Sequence, residues 1–387
     1  MNIYANHNRM LRIAIRPHWE LSRPGRAGRP NRNNVRTADA PPAPFDTATL
    51  LALLVAVHET GSLAQAARTL GLSYRHAWGQ VQTAQGVFGR ALLDAGRGRA
   101  STLTELAQKL IWAERRIAAR LSPLLESLAS ELEGELGRSR NRSASPIATP
   151  LRLNASHGFA VAAWVEQMHA ARAPVELRYR NSLESVAALA NGECDLAGFH
   201  VPIGEFEASA MLRYRPWLRD DAHSLVHLAV RTQGIFVARG NPKKIRSVDD
   251  LARADVRFVN RPEGSGTRVL TELLLHRHGI APRDVLGYGD TEFTHAAVAA
   301  YIASGMADAG IGVQTAAHRF GLQFIPLLRE RYFFAVNTAA LQQPKVQGAL
   351  RWLQSPAMRG AIAALKGYQA GETGRVQALD EAFEMGG

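Results

Sequence analysis

From Asp46 onward, apolar residues recur every three or four positions: Leu50, Leu51, Leu54 and Val57 form one helical face before Gly61 interrupts it. Ser62 and Gln65 then make a capping box for a short helix ending at Gly71, with Ala66, Ala67 and Leu70 as its packing residues. Ser73 caps a third helix that runs to about Gly89, and Ala77, Val81, Ala84 and Phe88 fall on one stripe of it. Tyr74 and Trp78 flank that stripe and are read as packing residues, because large rings beside an apolar stripe ordinarily serve the core. The opposite face carries Arg75, His76, Gly79, Gln82 and Thr83. Three short helices with tight turns predict a helix-turn-helix, and the polar face offers the hydrogen-bonding groups that a major groove accepts. Ser73, Arg75, His76, Gln82 and Thr83 are therefore candidate DNA contacts. Residues 91–103 predict a hairpin wing with Arg97 and Arg99 at its tip beside the turn glycines Gly96 and Gly98, placed to hold phosphates. A winged helix-turn-helix over 46–101 follows.

Thr102 and Glu105 make a further capping box, and the helix they open carries Leu103, Leu106, Leu110, Ile117, Leu121, Leu124, Leu128, Leu132 and Leu136. So long a stripe suits a helix over 102–137 that packs against a copy of itself, and a homodimer is expected. Gly134 and Gly137 are read as its end, with a polar hinge over 138–149. From Leu151 the period changes. Short apolar strands at Leu151–Ser156, Val175–Arg180 and Asp195–His200 alternate with helical stretches, which predicts an α/β domain over 150–387 with a mainly parallel sheet and ligands at the carboxyl ends of its strands. An extended run at 225–239 leads into a second lobe, and strands at 322–326 and 332–336 lead back. Two lobes joined by two crossings make a clamshell that can close on a small molecule.

Charge adds one thing to this picture. Forty-six Lys and Arg against 34 Asp and Glu give a net charge of +12, which points to an acidic partner such as double-stranded DNA. Part of the excess lies in residues 1–45, a Pro- and Arg-rich stretch without apolar period that reads as a disordered leader and lacks the apolar segment of an export signal. No apolar run approaches the ~18 residues of a membrane span, so no membrane contact is expected. The single cysteine, Cys194, cannot form an internal disulfide and fits a reducing, cytoplasmic setting or an inert small residue. No nucleophile, base and orienting group share a recognisable spacing, and no His/Cys cluster suggests a metal. The chain reads as no enzyme, with no catalytic residue, cofactor or metal site.

The stretch Phe258-Val-Asn-Arg-Pro-Glu-Gly-Ser-Gly-Thr-Arg268, with Thr294-His-Ala-Ala-Val-Ala-Ala300 and Ala307-Asp-Ala-Gly-Ile-Gly312, resembles the cytosolic regulators whose C-terminal half is a periplasmic-binding-protein-like domain of the molybdate-binding type. The stretch from Gly61 to Gly79 is similar to the winged helix of the ModE-type molybdate-responsive repressors and, less closely, of LysR regulators. The resemblance implies that hydroxyls and backbone amides hold a small oxyanion without a counter-charge. The matching loops fall at Ser156, Ser182, Ser265, Gly266, Thr267, Thr294, Gly312 and Val313. Val313 stands where the periplasmic proteins place a tyrosine. His200, Arg261, Arg268 and His295 lie near the same loops and would favour a carboxylate or another organic anion.

These expectations combine into a dimeric transcriptional regulator that senses a small anion, molybdate or tungstate among the candidates. The alternative is the solute-binding component of an anion transport system, which the DNA-binding region and the lack of an export signal oppose.

Overall fold

The computed structural model describes residues 12–17, 46–94, 102–140 and 149–383, and these fall into two compact units, one within Arg16–Ala118 and the other within Met1–Ile15 and Ala119–Gly387. Most of the leader, the wing tip with Arg97 and Arg99, and residues 141–148 of the expected hinge lie outside the described residues. Within the leader, Ile13 donates its backbone N–H to Glu133 at 2.6 Å, so this short piece has a defined partner.

In the first unit, α1 (Thr47–Thr60), α2 (Leu63–Thr69) and α3 (Tyr74–Phe88) start where the side-chain caps stand: Asp46 accepts from Ala48, Ser62 from Gln65 and Ser73 from His76. Leu50, Leu54, Val57, Ala66, Ala77 and Val81 fill the core between them. The two-stranded wing pairs β1 (Leu93–Asp94) with β2 (Thr102–Leu103) antiparallel, and the Gln85 side chain accepts the Leu92 N–H at 2.8 Å to fix where the chain leaves α3. Leu103 thus belongs to the strand rather than to the helix stripe, and Thr102 is a strand residue and no helix cap. Thr104 takes that role, accepting from Ala107, because β2 must finish before the helix can turn. The long helix α4 (Glu105–Arg140) runs straight through Gly134 and Gly137. A helical glycine costs roughly 1 kcal/mol against alanine and forces no break.

The second unit is built from β3 (Leu151–Ala155), α5 (Phe159–Ala170), β4 (Val175–Tyr179), α6 (Ser182–Ala190), β5 (Leu196–Pro202), α7 (Glu207–Leu212), β6 (His223–Val237), β7 (Phe258–Val259), α8 (Gly266–Arg277), α9 (His295–Ala303), β8 (Ala309–Val313), α10 (Gln314–Arg319), β9 (Gln323–Asn337), α11 (Pro344–Leu353), α12 (Pro356–Ala363), β10 (Tyr368–Gln369) and β11 (Val376–Ala378). Its sheet has the order β4-β3-β5-β9-β6-β8-β7. The expectation of a mainly parallel sheet needs correction. β3, β4 and β5 are parallel, as are β7 and β8, but β6 and β9 are antiparallel to each other and to β8 and β5 respectively. These two strands of 15 residues each span both lobes, and β9 is one strand where the sequence predicts two. One lobe packs around Trp164, Phe199 and Phe334, the other around Phe236, Phe258, Val298 and Leu270.

Candidate functional site

On α3, Arg75, His76, Gly79, Gln82 and Thr83 are all exposed, as expected of a face turned away from the core. Tyr74 and Trp78 do not pack as expected: they are 56% and 38% exposed and stand beside the polar face. The reason is geometric. Ala77, Val81 and Ala84 are small and sit directly on α1 and α2, leaving no depth for large rings at the margin of so narrow a stripe. Leu70, at the end of α2, is likewise exposed rather than packed.

Between the lobes, the crossing strands carry a polar face that the sequence reading passed over. Arg231 and Gln233 alternate along β6, Glu330 and Tyr332 along β9, and all four are almost wholly buried. Arg231 and Glu330 are opposite in register and form an ion pair through Nε. Gln233 donates from Nε2 to Glu330 at 2.9 Å and to Thr267 Oγ1 at 3.0 Å. Arg231-Thr-Gln233 interrupts the apolar run of β6, but on its own it reads as any solvated polar stretch until its partners on β9 are known.

Around this face the loops bring most of the expected residues together. Ser182 is buried with its hydroxyl 3.5 Å from His200 Nδ1, and His200 stacks on Tyr332 at 5.1 Å between centroids. Gly266 packs so tightly on His200 that a Cβ there would lie 2.6 Å from the imidazole, and one at Gly312 would lie 2.8 Å from His295 Nδ1. Ser156 is buried at the end of β3. Ser265 caps α8, accepting from Arg268. Arg261 is buried too, and donates to the Phe293 carbonyl at 2.6 Å.

Two of the expected ligand residues, Val313 and Thr294, and the neighbouring Arg268 make contacts of their own within the fold. The Val313 side chain sits in the apolar cluster of Phe236 and Val259, since alternation along β8 turns it into the lobe. Thr294 uses its hydroxyl twice, accepting from Ala297 as the cap of α9 and donating to the Ala119 carbonyl at 3.1 Å. That carbonyl is available because Pro123, four residues later in α4, has no N–H to give it. Arg268 turns out of the cleft, lying over the Tyr288 ring and bonding Glu272.

The electrostatics also depart from the expectation of a site without counter-charge. Burial pushes Arg261 down to about 9, Arg231 adding to the effect while Glu330 opposes it. Burial would lower Arg231 as well, but Glu330 facing it outweighs that and holds the guanidinium firmly charged. His157 is pushed down to about 4 by burial and Arg261. His200 and His295 are held well below the usual imidazole range, chiefly by burial and then by the two arginines. The cluster therefore holds neutral imidazoles and charged guanidinia. The Cys194 thiol is buried and pushed up to about 12, mainly by desolvation, so it is inert at neutral pH.

From residue 119 onward, α4 touches both lobes. Ser127 and Ser130 accept the N–H groups of Tyr179 and Leu177, at 2.9 and 2.8 Å, on the open edge of β4. On the other lobe, Arg120 pairs with the buried Glu292 at 2.8 Å, beside the Thr294 bond to Ala119. Leu124, Leu128, Leu132 and Leu136 remain exposed on the same helix. Among the described residues no His, Cys, Asp and Glu are grouped to hold a metal ion, and no single helix is long and apolar enough to cross a membrane.

Residues 48–108 match the bacterial regulatory helix-turn-helix proteins of the lysR family, and residues 165–354 match the PBP superfamily domain. An uncharacterized Bacillus subtilis protein, YvgK, is 38% identical over 51% of this chain and 64% of its own length. A Rhodobacter capsulatus protein named molybdenum-pterin-binding protein MopB is 30% identical over 39% of this chain and 63% of its own. The chain thus spans less than two thirds of either relative. Among solved structures, a hydrogen-peroxide-bound OxyR mutant of Corynebacterium glutamicum is similar over 82% of this chain and 94% of its own, at 14% identity and a TM-score of 0.42.

Proposed function

Since the chain belongs to the proteins that carry a lysR-family helix-turn-helix domain ahead of a PBP superfamily domain, we propose that it is a ligand-responsive, DNA-binding transcriptional regulator acting in the cytoplasm rather than an enzyme or a transport component. One observation carries this reading: α4 supplies Ala107 and Ile111 to the helix-turn-helix core, and the same helix from residue 119 is bonded to both lobes of the clamshell. A change in lobe spacing would move α4 and, with it, the DNA-binding face. Effector and DNA would then be coupled through one element, each altering the affinity for the other.

Ser73, Arg75, His76, Gln82 and Thr83, with Arg97 and Arg99 of the wing, are the proposed DNA contacts, and Tyr74 and Trp78 join them because they are exposed beside that face. A homodimer through the exposed leucines of α4 would present two such faces to paired half-sites, and Leu128→Asp is expected to yield monomers in sedimentation. The proposed effector is a small anion. The name of the Rhodobacter relative, a molybdenum-pterin-binding protein, favours a molybdenum-containing anion, and Arg231 and Arg261 favour an organic anion.

The test is selection of duplexes from a random pool by the full chain, followed by Arg75→Ala. The variant is expected to lose about 1 to 3 kcal/mol on the selected sequence and to blur its preference. Equal losses on selected and random DNA would remove Arg75 from base reading. Failure to enrich any duplex would remove the reading itself.

A further inference from the structure

We propose that the cleft takes a monoanion, a small carboxylate set against Arg261, in preference to a doubly charged oxyanion. The proposal rests on reading the two lobes as an effector-binding clamshell. It begins from a charge inventory of the buried face. Arg231 meets Glu330 directly across the β6–β9 pair, so these two charges cancel. Arg261 is only 5% exposed, and among the described residues no carboxylate meets it; one of its terminal nitrogens donates to the Phe293 carbonyl, while its Nε has no partner among those residues. His157, His200 and His295, the imidazoles around it, are held neutral at pH 7 by burial and by the arginines. Tyr332 and Tyr368, whose hydroxyls burial pushes up, are neutral as well. One positive charge is left over.

A buried charge without a partner is among the most costly arrangements a fold can hold, and a group kept so calls for something to complete it, as an anion drawn into the cleft does. A single negative charge completes this one. A dianion would carry a second charge into the same dry space, and it would have to draw a proton onto one of the imidazoles to be matched. The guanidinium fork of Arg261 also suits the two oxygens of a carboxylate.

The neighbouring unsatisfied groups agree. Gln233 gives its Nε2 to Glu330, an acceptor only, so its Oε1 is fixed as an acceptor, and that oxygen is buried without a donor. His295 Nδ1 is buried and unpartnered beside Gly312. A hydroxycarboxylate can offer Gln233 a proton; molybdate, tungstate and sulfate, fully deprotonated at neutral pH, cannot.

Thermal shifts of the full chain with glycolate, lactate, molybdate, tungstate and sulfate, in wild type and Arg261→Met, test this. Wild type is expected to gain Tm with glycolate or lactate, whereas Arg261→Met gains nothing. In buffer free of these anions, Arg261→Met is expected to melt no lower than wild type, because it removes a charge that no carboxylate among the described residues meets. A dianion is expected to bind more weakly and with uptake of a proton, seen in calorimetry as heat that changes with the buffer's ionisation enthalpy. The proposal is overturned if the dianions stabilise wild type most without proton uptake, if neither monocarboxylate moves it, or if Arg261→Met melts well below wild type without anion. Duplex selection by wild type separates these failures from failure of the regulator reading, since it needs no assumption about the anion.

Discussion

His227 is 1% exposed, lies edge-on to Phe333 at 5.3 Å between ring centroids, and is pushed down to about 4, burial outweighing the attraction of Glu372. His157 is lowered to the same value. Both groups take up a proton more readily in the unfolded chain, whose imidazoles titrate at 6.5, than in the folded one. Their contribution to stability is therefore complete above 6.5 and is lost as the pH falls from 6.5 towards about 4. Calorimetric melting across that window is expected to show Tm falling with pH, and His227→Gln is expected to flatten the fall. A slope unchanged by His227→Gln would place the acid lability elsewhere. At this scale the sequence was legible wherever a side chain acts on its own local backbone: Asp46, Ser62 and Ser73 all cap helices at their expected starts. It was not legible where function depends on a partner 97 to 99 positions away, as for Gln233 and Arg231 against Glu330. Nothing local distinguishes those residues from solvated ones.

Elements were readable from their periods, but their neighbours were less so. The stripes on α1 and α3 and the strand–helix alternation after Leu151 predict what is observed, whereas β9 was split in the sequence reading because Pro326 and the charged Arg329-Glu330-Arg331 run interrupt its apolar pattern. The long helix α4 shows the limit most clearly. Its leucines are evident in the sequence, but Pro123, Ser127 and Ser130, which fasten it to the sheet and to α9, look like ordinary surface residues. Ser130→Ala would leave the Leu177 N–H buried and unbonded, and is expected to cost about 1 to 3 kcal/mol in urea unfolding. Ser122→Ala, which loses only an exposed bond to Glu126 on the same helix, is expected to cost within about 0.5 kcal/mol. Equal costs for the two would mean that α4 is not held on β4 through this hydroxyl.

For the whole molecule, the claim is that occupancy of a cationic cleft is communicated along one helix to a DNA-reading face. Both ends of that helix have defined chemistry: apolar residues in the helix-turn-helix core at one, hydroxyls, Arg120 and a freed carbonyl against the two lobes at the other. A binding domain that served only as a solute carrier would need no such fastening. Fluorescence anisotropy of a selected duplex, titrated with the full chain with and without saturating glycolate or lactate, whichever raises Tm more, tests the claim most directly. Wild-type affinity is expected to change by roughly tenfold with the anion, the size of a typical coupling between sites, and the change is expected to vanish in Arg261→Met while DNA binding itself remains. DNA affinity that is the same with and without an anion shown to occupy the cleft would contradict it.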